Sequence, residues 1–339
     1  MATIGDVARE AGVSRSTVSS VLTGRKFVTP ETRARIEDAI DRLNFTVNSG
    51  ARALATSRTM VLGVVVQLHG LEFSPALAPF LFALSDVARS HGYDVQLITE
   101  ADAVAAITRV TRSHQVDGLV LLNIIDDDPR LPFLESRDMP AVLLGMPADS
   151  RGVDAVDLDF AAAARRLVTY LHERGHRDVL FARWSPAMFE AGHAFVRRFS
   201  DAAFAAAHEL GMGMVAFDCP TEPEQVPHEL ARALRDRGPA TAVLVHDDAA
   251  TALLPAALHE AGLSAPDDIS VVSLHSAELG RSLALPYTSV ESDPGRVAEA
   301  AVAVLMRRIA ASAADDTGVV HELLTPRITE RGSVRDRRS

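Results

Sequence analysis

The 339-residue sequence predicts a small all-α head followed by an α/β body of two doubly wound parallel-sheet lobes. Three observations predict it. Residues 1–46 place apolar side chains at helical period and put cap residues at the segment ends. From Met60 onward, short runs rich in valine and leucine alternate with alanine-rich helical stretches, the mark of βαβ repetition. The charge also changes sign between the two regions. Residues 1–60 hold nine basic and six acidic side chains, whereas the rest carries a net −14 against a whole-chain total of −11. A basic head on an acidic body suits a polyanion at the head and repels it elsewhere.

The bulk composition narrows the class. A chain of this length exceeds one ordinary core, and 47% apolar residues is too many for a disordered chain. The longest apolar runs, such as Thr59–Val66, fall well short of the ~18 residues of a membrane helix. The opening "MATIGDVAREAG" has early acids and no apolar core, so it does not read as a secretory signal. The single cysteine, Cys219, fits a reducing cytoplasm and reads as a small buried hydrophobe. The expected location is therefore cytoplasmic.

In the head, Thr3 and Asp6 form a near capping box, and Ile4, Val7, Ala8 and Ala11 share one face until Gly12 stops the helix. Ser14 caps a second helix over residues 15–22. Its Val18, Val21 and Leu22 face inward, and its Arg15, Ser16, Ser19 and Ser20 face out. Thr29, Pro30 and Glu31 read as N-cap, first-turn proline and first-turn acid of a third helix with core residues Ile36, Ala39, Ile40 and Leu43. Two short helices, a tight turn and a bracing helix make a helix-turn-helix module, whose second helix a DNA major groove admits. Pattern by itself leaves open a plain three-helix bundle with solvated serines.

The segments "ATIGDVAREAGVSRSTVSSVLTG" and "VTPETRARIEDAIDRLNFTVNSGARALAT" resemble the head of the LacI (lactose-repressor) family of bacterial transcription regulators, densely over residues 2–66. The resemblance implies that Arg15, Ser16 and Ser20 read bases while Thr3, Ser14, Thr17 and Ser19 hold the DNA backbone. This chain has Ser20 where the family usually has arginine, and Thr23 where it has asparagine. The change at Ser20 removes a bidentate guanine contact.

Residues 47–60 are the expected hinge. Gly50 weakens a helix that Ala51 to Ala55 favour, so the segment should order only when something packs on it. The resemblance implies folding on DNA, with Leu54 wedged into the minor groove beside Asn48 and Ala51. Without it, Leu54 reads as a linker leucine covering the body. Val47 stands where the family commonly has proline.

The body then reads as strands at 60–66, 94–99, 117–122, 141–144, 154–158, 178–182, 213–217, 241–246 and 269–274. Helices fall at 76–91, 159–174, 193–210, 247–262 and 296–312. The resemblance extends more loosely to about residue 332 and implies a periplasmic-binding-protein-like body, residues 61–332, with crossovers near Asp157, Glu291 and Gly318. Its N-lobe would be 61–157 plus 292–317, and its C-lobe 158–290 plus 319–332. Residues 335–339 are expected to be a disordered tail.

Ligands of such lobes sit in the cleft beyond the strand ends. At positions that bracket sugars in sugar-responsive members, this chain departs. It has Gly145 for an aspartate, Phe195 for an arginine, Asp247-Asp248 for Asn-Asp, His275 within the altered "LHS", and Ser292 for a glutamine before Asp293. A free hexose is therefore disfavoured as effector. The expected lining is Arg183, Trp184, Phe195, Asp247, Asp248, His275 and Asp293. An arginine beside aromatics suits a planar or anionic ligand, and paired acids suit hydroxyls or a cation; both stay open. So do a core role for Phe195, a helix N-cap role for Asp247, and a cleft that binds nothing.

Asp126 to Asp128 read as a solvated loop. The pair His172 and His176 is broken by Gly175, and "GMG" at 211–213 lacks the rest of a dinucleotide fingerprint. No catalytic set, metal site or cofactor is expected. The composite expectation is a transcription regulator, a repressor, binding double-stranded operator DNA as a homodimer (a tetramer is not excluded) under a small-molecule effector. The alternative from another class is a solute-binding protein without a DNA role. It would carry a secretory signal and no basic head, the reverse of this sequence.

Overall fold

The computed structural model describes residues 2–23, 27–45, 58–67, 77–135, 139–283, 285–311 and 318–338. The head holds three helices, α1 (Ile4–Glu10), α2 (Arg15–Thr23) and α3 (Pro30–Arg42). Val7, Val18, Ile36 and Ala39 are fully buried where the three meet. Thr3 and Asp6 complete a reciprocal capping box on α1, and Thr29 caps α3 with Pro30 in its first turn.

The body is built on two six-stranded sheets. Its elements run β1 (Val61–Val65), α4 (Leu77–Ser90), β2 (Asp94–Ile98), α5 (Ala103–Arg112), β3 (Gly118–Leu121), α6 (Leu131–Glu135), β4 (Ala141–Leu144) and β5 (Asp154–Leu158). There follow α7 (Phe160–Glu173), β6 (Asp178–Arg183), α8 (Pro186–Glu190), α9 (Ala194–Glu209), β7 (Gly213–Asp218), α10 (Val226–Arg235), β8 (Ala242–Val245), α11 (Asp248–Ala261) and β9 (Ser270–His275). Last come α12 (Ala277–Ser282), β10 (Thr288–Glu291), α13 (Pro294–Ala310), β11 (His321–Leu324) and β12 (Ile328–Thr329). The strand orders are β11-β5-β4-β3-β1-β2 and β12-β10-β9-β8-β6-β7. All pairings are parallel except β10 with β12. Central strands such as β3 "GLVL" and β8 "AVLV" are buried along their whole length because helices cover both sheet faces.

The chain passes to the second sheet after β5 and returns after β10. The third crossing differs from the expectation near Gly318: β11 pairs with β5, so residues 319–324 belong to the first lobe and the crossing follows Leu324. Asp154 explains this. Its buried carboxylate takes two bonds from Arg308 and the N–H of Val320, pinning that segment to β5. The sequence "HELL" of this edge strand lies largely exposed and carries no strand signature. The tail also differs from the expectation of disorder. The Arg335 N–H donates to Ser270 Oγ, the Arg337 N–H donates to the Arg174 carbonyl, and the 337–338 backbone lies against Gly175.

One further expectation changes in part. Asp128 is buried in an ion pair with fully buried Arg130 and Asp126 pairs with Arg197, so these two acids are structural, whereas Asp127 is exposed as expected of a solvated loop. His176 is buried between Thr241 and the Arg335 carbonyl.

Candidate functional site

The head presents α2 as its working surface. Gly12 at φ +64° turns the chain out of α1 in a conformation that disfavours a side chain. The Ser14 hydroxyl accepts the Thr17 N–H at 3.1 Å and lies 2.7 Å from Ser16 Oγ and 2.8 Å from Thr17 Oγ1, fixing the first turn. Arg15 and Ser16 are exposed, whereas Ser19 and Ser20 are half-buried. The Arg15 guanidinium lies over Gly5, where a Cβ would come 2.8 Å from Nη2. A side chain at position 5 would displace the Arg15 guanidinium from this place, a contact the sequence pattern did not reveal. Thr3 Oγ1 donates to Asp6 and accepts its N–H, so its hydroxyl serves the cap. Ser20 Oγ donates to the Ser16 carbonyl at 2.8 Å, leaving its lone pairs to accept. Asn48, Ala51 and Leu54 lie outside the described residues.

In the body, a cleft opens between the lobes where strands of both sheets end, with about 950 Å³ of free space including its mouth. It brings together Trp184, Phe195, Asp248 and His275 of the expected residues. Arg183, Asp247 and Asp293 are not among the residues that line it. Arg183 pairs with Asp218 on the neighbouring strand, its guanidinium 4.8 Å from the Phe189 ring centroid. The carboxylates of Asp247 and Asp293 are spent as N-caps of α11 and α13, accepting from Ala250 at 2.7 Å and from Arg296 at 3.3 Å. A residue that ends a strand and starts a helix meets orphan N–H groups first, and short acids satisfy them.

The cleft wall is aromatic. Phe195 sits 5.4 Å from Phe160, 5.8 Å from Trp184 and 5.9 Å from His246 by ring centroids. His246 stacks on Phe199 at 3.9 Å, and burial pushes its pKa down to about 3, so the ring stays neutral. His275 is buried; burial lowers its pKa too, and its Nδ1 lies 2.8 Å from the Ser276 carbonyl. A carbonyl only accepts, so Nδ1 carries the proton and Nε2 presents a lone pair. Burial raises the Asp157 carboxyl to about 6 even though Arg198 across the cleft donates to it at 3.0 Å. Arg198 also donates to the carbonyls of Met146 and Leu158. A bridge between Ile125 and His193, and an ion pair of Asp126 with Arg197, join the lobes beside it.

Known proteins share this arrangement. Residues 3–48 match the bacterial regulatory proteins of the lacI family, and residues 168–334 match the periplasmic binding protein-like domain. The HTH-type transcriptional repressor PurR of Yersinia pestis bv. Antiqua is 30% identical over 347 residues, spanning 99% of this chain and 98% of the relative. The chain belongs to the LacI family of bacterial regulatory proteins. Catabolite control protein A of Staphylococcus xylosus is 27% identical over 277 residues, 82% of this chain and 83% of the relative. The transcriptional regulator CelR–cellobiose complex superposes with a TM-score of 0.66 at 25% identity, covering 98% of this chain and all of that one. The lac repressor dimer bound to operator and the anti-inducer ONPF shares the fold, with a TM-score of 0.77 at 23% identity over 98% of this chain and 99% of that one.

As a LacI-family regulator, the chain has a DNA-binding head and a periplasmic-binding-protein-like body. Its departures from the sugar-responsive pattern now have physical reasons. Gly145 has φ +144°, and a Cβ there would lie 2.9 Å from Ile124 Cβ, so the missing aspartate has no room. Phe195 is the hub of the aromatic wall. Sequence reading missed His246, Phe160 and the Asp157–Arg198 pair. His246 closes the strand run "TAVLVH", and a polar residue at a strand C-terminus was the available signal. It also missed Gly280, where a Cβ would come 2.6 Å from His275 Cε1.

Proposed function

We propose that this LacI-family chain is a cytoplasmic repressor without enzymatic chemistry, binding a pseudopalindromic operator as a homodimer under a small-molecule effector held in the interlobe cleft. The observation that carries the DNA reading is the exposed Arg15–Ser16 face of α2, set on a capped three-helix core at the end of a glycine turn. A guanidinium and a hydroxyl so placed reach base edges in a major groove, while Ser14, Thr17 and Ser19 meet phosphates from the same helix. The division of the chain into head 1–46, hinge 47–60 and body follows this reading. In the hinge, Asn48, Ala51 and Leu54 take the minor groove. The repressors among the relatives support the sign of regulation.

Dimerisation is supported by apolar side chains at matching sheet edges. Phe82 on α4 and Leu97 on edge strand β2 are 71% and 51% exposed, and Val215 on edge strand β7 is 64% exposed. Unpaired edges bearing exposed apolar residues call for a partner, and two-fold pairing supplies the same patch from each copy.

Footprinting on the DNA upstream of the chain's own gene tests the reading. Salt-sensitive, sequence-selective protection is expected, and protection without sequence preference would overturn it. A Leu54→Ala variant should lose specific binding by about tenfold or more while non-specific binding stays within about twofold. Equal loss of both would remove Leu54 from the operator contact.

A further inference from the structure

Four buried polar atoms without a hydrogen-bond partner belong to residues that line the cleft: Trp184 Nε1, His246 Nδ1, His275 Nε2 and Ser292 Oγ. Their residues are 6%, 2%, 2% and 5% exposed, so bulk water does not serve them. Unpartnered buried groups of this kind are rare in folded proteins, and here the four belong to residues around one space. Ordered water satisfies such groups in polar cavities. This cleft, however, is walled by Leu77, Phe80, Leu122, Phe160, Leu274 and Val297, where an apolar body gains by displacing water.

The charge balance narrows the ligand further. Arg198, the guanidinium beside the cleft, is committed to Asp157 and to the carbonyls of Met146 and Leu158, so an anion would have to compete for it. Asp157 is held by Arg198, so a cation would have to compete with that guanidinium for its carboxylate. The polar groups have fixed roles. Trp184 Nε1 only donates, and His275 Nε2 only accepts, its tautomer set by the Ser276 carbonyl.

We infer that the cleft takes an uncharged, flat, largely apolar molecule carrying one hydrogen-bond acceptor for Trp184 Nε1 and one donor for His275 Nε2, the chemistry of an aryl amide. The inference rests on the cleft being the effector site. Ser292, placed where sugar-responsive members carry a glutamine, contributes one adaptable hydroxyl. Gly280 is the positioning residue that leaves room for the His275 imidazole.

Titration calorimetry on the full chain, with and without its operator, tests this using one ring in three charge states: benzamide, benzoate and benzylamine. 2-Naphthamide, hypoxanthine and D-glucose complete the set. The amides are expected to bind, with the naphthyl ring tighter. Trp184→Phe, which keeps the aromatic bulk and removes the N–H, should weaken amide binding by about tenfold. His275→Phe should do the same. Tighter binding of benzoate, benzylamine, hypoxanthine or D-glucose than of the amides would overturn the inference, and so would binding of none of the six. If D-glucose bound and shifted operator affinity, the regulator reading would stand and the ligand class fall. If an amide bound with no shift in operator affinity, the ligand class would stand and the effector role fall.

Discussion

Ser20 already spends its proton on the Ser16 carbonyl, so in a groove it accepts more readily than it donates. It can take a bond from an amino group of cytosine or adenine, and it cannot make the forked contact an arginine makes to guanine. Ser20→Arg should therefore raise preference for guanine at one half-site position by about 1–3 kcal/mol, read by selection from randomised half-sites. Unchanged base preference would remove Ser20 from the reading set. His246 makes a second prediction at this scale. Its folded pKa of about 3 lies below that of a free histidine, so the unfolded chain alone takes up a proton as pH falls below about 6.5. Its contribution is present above that pH and is lost progressively on acidification. Asp157 and Asp247 act oppositely. Burial lifts them to about 6 and about 7, so they favour the fold at low pH and lose that contribution as pH rises through those values. The His246 effect is isolated by comparison with His246→Phe, which keeps the stack on Phe199. Between pH 6.5 and 5 the wild type should lose about 2 kcal/mol more than the variant in denaturant titrations. Equal losses would show that His246 is not held neutral by burial.

Among the elements, α2 depends on the turn before it. Gly12 has φ +64° with nothing within 4 Å of a Cβ position, so Gly12→Ala introduces backbone strain and no clash. The cost should be about 1 kcal/mol. Operator affinity should fall several-fold while the ranking of operator variants stays the same, because the side chains of α2 keep their order. A changed ranking would mean that the turn also sets which bases α2 meets. In the body, the strands that escaped sequence reading are β10, β11 and β12. β10 is four residues long, β12 two, and β11 is an exposed edge. Each is held by partners distant in sequence, as Arg331 holds the β10 segment through the Tyr287 carbonyl and the Ser289 hydroxyl. Local propensity has little to work with in such segments.

At the scale of the whole molecule, two lobes expose apolar side chains at β2 and β7, the equivalent edges of the two sheets. If these edges join two copies, Phe82→Glu combined with Leu97→Glu should halve the mass found by sedimentation. Operator affinity should then fall by roughly 100-fold or more, because each head binds singly once the tether is lost. A dimeric mass in the double variant would place the interface elsewhere.

The head and the alternation of the body were legible in the amino-acid order because they rest on local rules. Thr3, Gly12, Ser14, Thr29 and Pro30 mark helix ends by short-range chemistry, and nine of the strands announce themselves as short apolar runs. The cleft was half legible. Trp184, Phe195, Asp248 and His275 stand at or beside the positions that the family resemblance assigns to the effector cleft. Whether a polar side chain at such a place faces the cleft or serves the backbone depends on neighbours that folding brings in. Asp247 went to its own helix, Arg183 to Asp218 on the next strand, and residues 319–324 to the first lobe through Asp154 and Arg308. Those are contacts between residues far apart in the chain, set by which backbone groups and countercharges lie within hydrogen-bond reach once two sheets have formed.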